Sequence, residues 1–249
     1  MPKTVKGENN GKLTSMIGLL RDKLCDTKYD FMTREHPQDY LNTFLQEVYS
    51  NTGARVKAIN LSEVPYEMIP IIVAVIAKLL YRVQLQQERE KIHPMCLVCD
   101  EAHGYIPSSD FGLGASQRRL LEVFEKIAKE GRKFGVSLMV ASQRPSELNR
   151  TIMAQCANYI VMKMSNDTDK QMMKNILPEG SKNILDSVNL FVPGSCFVIG
   201  DSTDLIFQIR VDLPSELPSS STIDTWDCWY KESQIDVDKL VETLLEESR

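Results

Sequence analysis

No apolar run in this 249-residue chain reaches the roughly 20 residues needed to cross a bilayer; the longest, from Ile69 to Tyr81, is interrupted by Lys78. The opening residues MPKTVKGENNGK lack the apolar core of a secretion signal, which points to the cytoplasm. The cysteines, at 25, 96, 99, 156, 196 and 228, are too scattered for a disulfide framework and read as reduced residues. Cys96 and Cys99 have the spacing of a metal knuckle, with His103 nearby. They sit in or beside an apolar strand-like run, however, where alternate residues face opposite ways, and this argues against a compact zinc chelate. There is no excess of positive charge, since the net charge is -5, so a surface that coats nucleic acid nonspecifically is excluded while a local basic channel is not. No internal repeat is present.

What remains is an ordinary globular composition, 43% hydrophobic and 25% charged, enough for one large core with an appendage. Residues 1–54 read as a mostly helical segment, with helical apolar spacing in Thr14 to Leu24 and Tyr40 to Val48. Arg55 to Leu61 predicts a strand, and Glu67 to Gln87 a long helix with Pro70 in its first turn and a polar stripe of Lys78, Arg82 and Gln86. Strand Met95 to Cys99, a Gly/Ser-rich loop from Ser108 to Ser116, and a helix from Gln117 to Glu130 follow. Strands at Val136 to Ala141 and Tyr159 to Met164 then alternate with helices at Ser146 to Cys156 and Asp167 to Leu177. Two short strands, Ser195 to Gly200 and Leu205 to Arg210, close the core. This alternation over 55–212 predicts an α/β fold, a mostly parallel sheet with helices on both faces and ligands at the carboxyl ends of its strands. Residues 213–249 read as a Pro/Ser linker and an amphipathic tail helix, Asp236 to Glu247, with Val237, Leu240, Val241, Leu244 and Leu245 on one face.

Three stretches carry candidate chemistry. MCLVCDEAH, residues 95 to 103, is a buried strand ending in two carboxylates, the form of a Walker B motif. Asp100 at the tip would hold the water shell of a magnesium ion and Glu101 would polarise an attacking water. Taken alone, the pair more often simply opens a solvated loop after a buried strand. VSLMVASQRP, residues 136 to 145, is a second strand ending in a polar cluster, and the amide of Gln143 could bond both a γ-phosphate oxygen and the lytic water. In isolation it is a surface amide before a turn. KEGRKFG, residues 129 to 135, presents Arg132 where a helix ends, either as a partner of the helix dipole or as a finger reaching a neighbouring subunit's γ-phosphate. A phosphate-gripping loop, GxxxxGK followed by Ser or Thr, is missing. The nearest match, GENNGKLT at residues 7 to 14, has three residues between its glycines, Leu13 at the hydroxyl position and no buried strand before it.

A DEAH-box RNA helicase would pair its motif with Ser-Ala-Thr, and none follows here. LVCDEAHGYIP, IAKEGRKFGVSLMVASQRPSEL and YIVMKMSNDTDKQMMKNILPE, with CDTKYDFM and INLSEVP upstream and PGSCFVIGD downstream, together resemble the HerA-type branch of the HerA/FtsK superfamily over residues 13 to 212. The resemblance implies a partial RecA-like P-loop NTPase core that uses ATP and Mg2+, in a homo-oligomeric, hexameric ring that moves double-stranded DNA. A nuclease or anti-phage effector would be its partner. It also implies that Asp100 and Glu101 are the Walker B pair, Gln143 the sensor and Arg132 the trans-acting finger. In that family the phosphate-binding loop precedes the region matching residue 13, so the chain alone is expected not to turn over ATP. The tail after 213 resembles an extension that braces the adjacent subunit. Two other readings stay open at this stage: a non-enzymatic scaffold derived from such an ATPase, and an ATPase that signals to an effector without moving DNA. Arg118, Arg119, Lys126 and Lys129 could line a DNA path, but they alternate with Glu122, Glu125 and Glu130, as a solvated helix face does.

Overall fold

The structure, a computed structural model, describes residues 14–26, 29–33, 35, 37, 39–50, 55–108, 115–216, 225–229 and 236–247. Inter-residue contacts divide the chain into two units, 1–209 and 210–249.

The first unit begins with helices α1 (Thr14–Cys25), α2 (Asp30–Thr33) and α3 (Tyr40–Tyr49). Helices α1 and α3 bury none of their residues. What ties this segment down is polar: Lys23 Nζ and the Tyr29 hydroxyl both bond Glu67 Oε1, at 2.5 and 2.6 Å, and together hold that carboxyl down to about 2.

The strand expected at Arg55 to Leu61 does not form; residues 55–60 are exposed and belong to no ladder. Backbone groups of an extended segment need a paired neighbour to become a strand, and none of the described residues provides one. The long helix is present as α4 (Ile69–Gln86), entered through the turn Tyr66–Met68 and with Pro70 in the first turn, where its missing N–H is not needed. Ala74, Ala77, Leu80, Tyr81 and Gln84 form its buried face, and Lys78, Arg82 and Gln86 are exposed as the spacing predicted. The segment Tyr66–Gln86 is long and apolar enough, by length and composition only, to cross a membrane. It packs against the next long helix, and its exposed side carries Ile71, Val75 and Leu85 beside Lys78 and Arg82.

Strand β1 (Met95–Cys99) pairs in parallel with β2 (Val136–Val140), Met95 opposite Val136 and Cys99 opposite Val140. Parallel neighbours need a crossover, and α5 (Ala115–Glu130) supplies it, burying Leu121, Phe124 and Ile127 in the core and packing against α4 and β2. The helix expected over Ser146 to Cys156 is reduced to the turn Pro145–Glu147 and the single turn α6 (Arg150–Met153). Two features interrupt it: Leu148 is extended and bridges Pro107, and Asn149 then caps the new helix by accepting the N–H of Ile152. Strand β3 (Asn158–Val161), α7 (Asp167–Ile176), β4 (Ser195–Gly200) and β5 (Phe207–Arg210) complete the series, with β3 antiparallel to β4 in the order β3-β4-β5. Between α7 and β4 a run of tight turns, Glu179–Leu190, buries Leu185 and Val188.

This is the expected α/β class, with β1-β2 as its parallel pair; β3-β4 is antiparallel, so the mostly parallel sheet of the expectation is formed only in part. The strands β1-β2 and β3-β4-β5 share one apolar cluster but no ladder joins them among the described residues. Cys99, Val136 and Val161 point into that cluster, whereas Val98, Met139 and Ile160 are 59%, 49% and 61% exposed. Parallel strands are normally buried on both faces, so the face of β1 and β2 that bears Val98 and Met139 is bare for its type. The second unit contains α8 (Thr225–Trp229) and α9 (Val237–Glu247); Val237, Leu240, Val241 and Leu245 of α9 are exposed.

Candidate active site

Parallel pairing in register brings the carboxyl ends of β1 and β2 to the same level. The ladder runs on beyond both strands, Ala141 N–H donating to the Cys99 carbonyl at 2.9 Å and Ala102 N–H to the Ala141 carbonyl at 3.0 Å. Asp100-Glu101 and Ser142-Gln143 are therefore fixed side by side. Across the gap the Gln143 amide donates to Glu101 Oε1 at 2.8 Å, joining two residues 42 positions apart in sequence.

Asp100 Oδ1 accepts the N–H of Glu101 at 3.0 Å, and its carbonyl accepts the Tyr105 hydroxyl at 2.6 Å. Burial drives the Tyr105 phenol well above its ordinary range and pushes the Cys99 thiol up to about 11, so both stay protonated and inert. Cys96 is exposed whereas Cys99 is buried, placing the two thiols in different surroundings. Glu101 has φ 46 and ψ 42, and is the sole non-glycine at positive φ among the described residues. That conformation costs of order 1–3 kcal/mol and persists where the surroundings over-determine it, a situation common at active sites. Beside it His103 Nδ1 lies 3.3 Å from Glu101 Oε2 and 3.2 Å from Ser142 Oγ. Sequence reasoning named His103 only as a neighbour of the CxxC pair and passed over Ser142. The signal available was their offset, each within two residues of an expected site residue.

Arg132 is not brought to this cluster. It lies in the turn Gly131–Phe134, before β2 begins, whereas Gln143 follows its end. Five residues at about 3.3 Å each put roughly 16 Å of strand between them. The Arg132 side chain is exposed and makes no hydrogen bond or ion pair among the described residues. Two glycines shape its turn. A Cβ on Gly131 would sit 2.5 Å from the Val136 carbonyl oxygen, and Gly135 takes φ 71 with its would-be Cβ 2.6 Å from Ile92 Cγ2. Gly131→Ala is expected to destabilise the fold by roughly 1–3 kcal/mol, read from the midpoint shift in urea, because backbone has to move.

A magnesium ion fits the residues present to the extent that Asp100 is an exposed carboxylate with only one oxygen engaged, and magnesium takes few carboxylates and several waters. None of the described residues forms a phosphate-gripping loop, and the near match at 7–14 lies almost wholly outside them. The basic residues Arg118, Arg119, Lys126 and Lys129 of α5 are exposed, and Lys129 pairs with Glu125 at 3.5 Å, as on a solvated helix face.

No family model matches the chain. It is 29% identical over 119 residues to the DNA double-strand break repair helicase HerA of Pyrococcus furiosus, covering 48% of this chain and 20% of that protein. With HerA of Sulfolobus acidocaldarius it shares 26% identity over 200 residues, 77% of this chain and 38% of the relative. The chain thus spans well under half the length of these curated relatives. Among solved structures it is similar to the genome packaging NTPase B204 from Sulfolobus turreted icosahedral virus 2 in complex with AMP. That similarity has TM-score 0.44 and 14% identity, over 55% of this chain and 62% of the other.

Proposed function

We propose that this chain, similar in sequence to the HerA helicases over part of their length, supplies the hydrolytic half of an ATP-driven motor that moves double-stranded DNA. The observation carrying this reading is the 2.8 Å bond from Gln143 to Glu101 across two strand tips in parallel register. In this reading Glu101 polarises the water that attacks the γ-phosphorus, and Gln143 orients the same carboxylate and reports whether the phosphate is there. Asp100 would hold a magnesium ion through water, and such an ion would supply positive charge to offset that of the phosphates. Arg132, at the far end of β2, works on a neighbouring subunit's nucleotide, which makes the motor a ring of like subunits, a hexamer by the family resemblance. A nuclease or anti-phage effector as partner rests on that resemblance alone.

The same reading requires a phosphate-gripping loop from outside the described residues. Each charge-assisted contact that such a loop makes is worth roughly 1.5–3 kcal/mol, so its loss removes most of the grip on ATP. The bare face bearing Val98 and Met139, and the unjoined edges of β2 and β3, leave a place for added structure. The test is ATP hydrolysis by this chain alone, with and without duplex DNA. No turnover is expected. Turnover that disappears in Glu101→Ala would instead mean that the chain holds a complete site.

A further inference from the structure

We infer that His103 is a positioning residue for hydrolysis, one that fixes the free oxygen of Glu101; its role, though not its contact, rests on the function proposed above. The Glu101 side chain is half exposed, so contacts and not packing must hold its carboxylate in place. Gln143 fixes Oε1. Oε2 faces His103 Nδ1 at 3.3 Å, on the shielded side, where the His103 side chain is 23% exposed. A carboxylate has about four lone-pair sites, so one bond at each oxygen still leaves a lone pair on each to take a proton from water. Two contacts therefore aim the base without consuming it.

The surroundings also select which ring nitrogen carries the proton. Ser142 Oγ, 3.2 Å from Nδ1, already accepts the N–H of Arg144 at 3.0 Å. A lone pair on Nδ1 would be directed toward the anionic Oε2, a repulsive arrangement, whereas a proton there is attracted to both Oε2 and Ser142 Oγ. The backbone that carries the ring is held in turn: His103 belongs to the tight turn Ala102–Gly104, with Ala102 fully buried and its N–H bonded to Ala141. Backbone pairing thus places the residue, and its imidazole meets the carboxylate. A histidine on Nδ1–H with a carboxylate partner is a familiar way of orienting one functional group by another.

The contact can be tested on the chain itself by long-range proton–nitrogen NMR of its three histidines, with the His103 signals identified by their loss in His103→Asn. The expected spectrum shows His103 protonated at Nδ1, reverting to the Nε2–H form in Glu101→Ala. A wild-type ring protonated at Nε2, or a spectrum indifferent to Glu101→Ala, overturns the contact whatever the chain's activity. The role is tested in the assembled ATPase: His103→Ala should lower kcat about tenfold with KM for ATP unchanged. His103→Asn, whose amide nitrogen stands where Nδ1 stood, should recover most of it. Equal kcat in His103→Ala, in an assay where Glu101→Ala is inactive, removes the role. An active Glu101→Ala removes the hydrolytic reading on which the role depends.

Discussion

Exchanging Glu101 for alanine is expected to lower kcat of an ATPase assembled with this chain by about two to four orders of magnitude, the span that a positioned general base contributes. KM for ATP should change little, because Glu101 in the proposed mechanism meets the attacking water and not the phosphate chain. Loss of fold is not the cause. The side chain is 50% exposed, and what it leaves behind is the exposed Gln143 amide and the His103 ring, whose Nδ1 keeps Ser142 Oγ beside it. Glu101→Ala should lose about 1 kcal/mol of stability, the worth of an exposed side-chain hydrogen bond, and stay folded. Glu101→Gln separates charge from shape, keeping the side-chain volume while removing the base, and should be as inactive as alanine. Steady-state hydrolysis and binding of a fluorescent ATP analogue read the two quantities separately. Weakened binding with undiminished turnover of what binds would sink the assignment.

Arg132→Ala carries the other large effect. A guanidinium that meets the γ-phosphate in the transition state is worth about three to five orders of magnitude in kcat. The geometry adds a sharper consequence than size. Arg132 and Gln143 flank β2 from opposite ends, so one chain cannot direct both Arg132 and Glu101 at the same phosphate. Mixing Arg132→Ala subunits with Glu101→Ala subunits should therefore restore activity, since some interfaces then join an intact Glu101 to an intact Arg132. Size-exclusion chromatography confirms that mixed assemblies form, and hydrolysis is compared with each variant alone. Mixed assemblies that stay dead would place both groups in the same subunit's site or leave Arg132 without a catalytic role.

Where a pattern was local, sequence reading succeeded. The helical spacing of Leu121, Phe124 and Ile127 sufficed to find α5, and the apolar run Met95 to Cys99 sufficed to find β1. The segment Arg55 to Leu61 has the same strand-like composition and yet makes no strand, because pairing depends on a neighbour that composition does not reveal. Ser146 to Cys156 has helical spacing, but the Pro107–Leu148 bridge and the Asn149 cap, one of them made across some 40 residues, divide it. In the candidate site, Asp100, Glu101 and Gln143 were legible as strand-end polar residues. His103 and Ser142 were not, since each matters only through what it touches.

The order of residues alone thus determined the α/β class, the two strand tips with their carboxylates and amide, and the absence of a recognisable phosphate-gripping loop. These are properties of short windows, set by side-chain periodicity and by what can follow a buried strand. Tertiary structure decided that Glu101 takes a left-handed backbone, that Gln143 and His103 hold its two oxygens, and that Arg132 stands a strand's length away. The Gln143 contact and the remoteness of Arg132 come from the parallel register of β1 with β2, which joins positions some 40 residues apart, and no local pattern encodes a register.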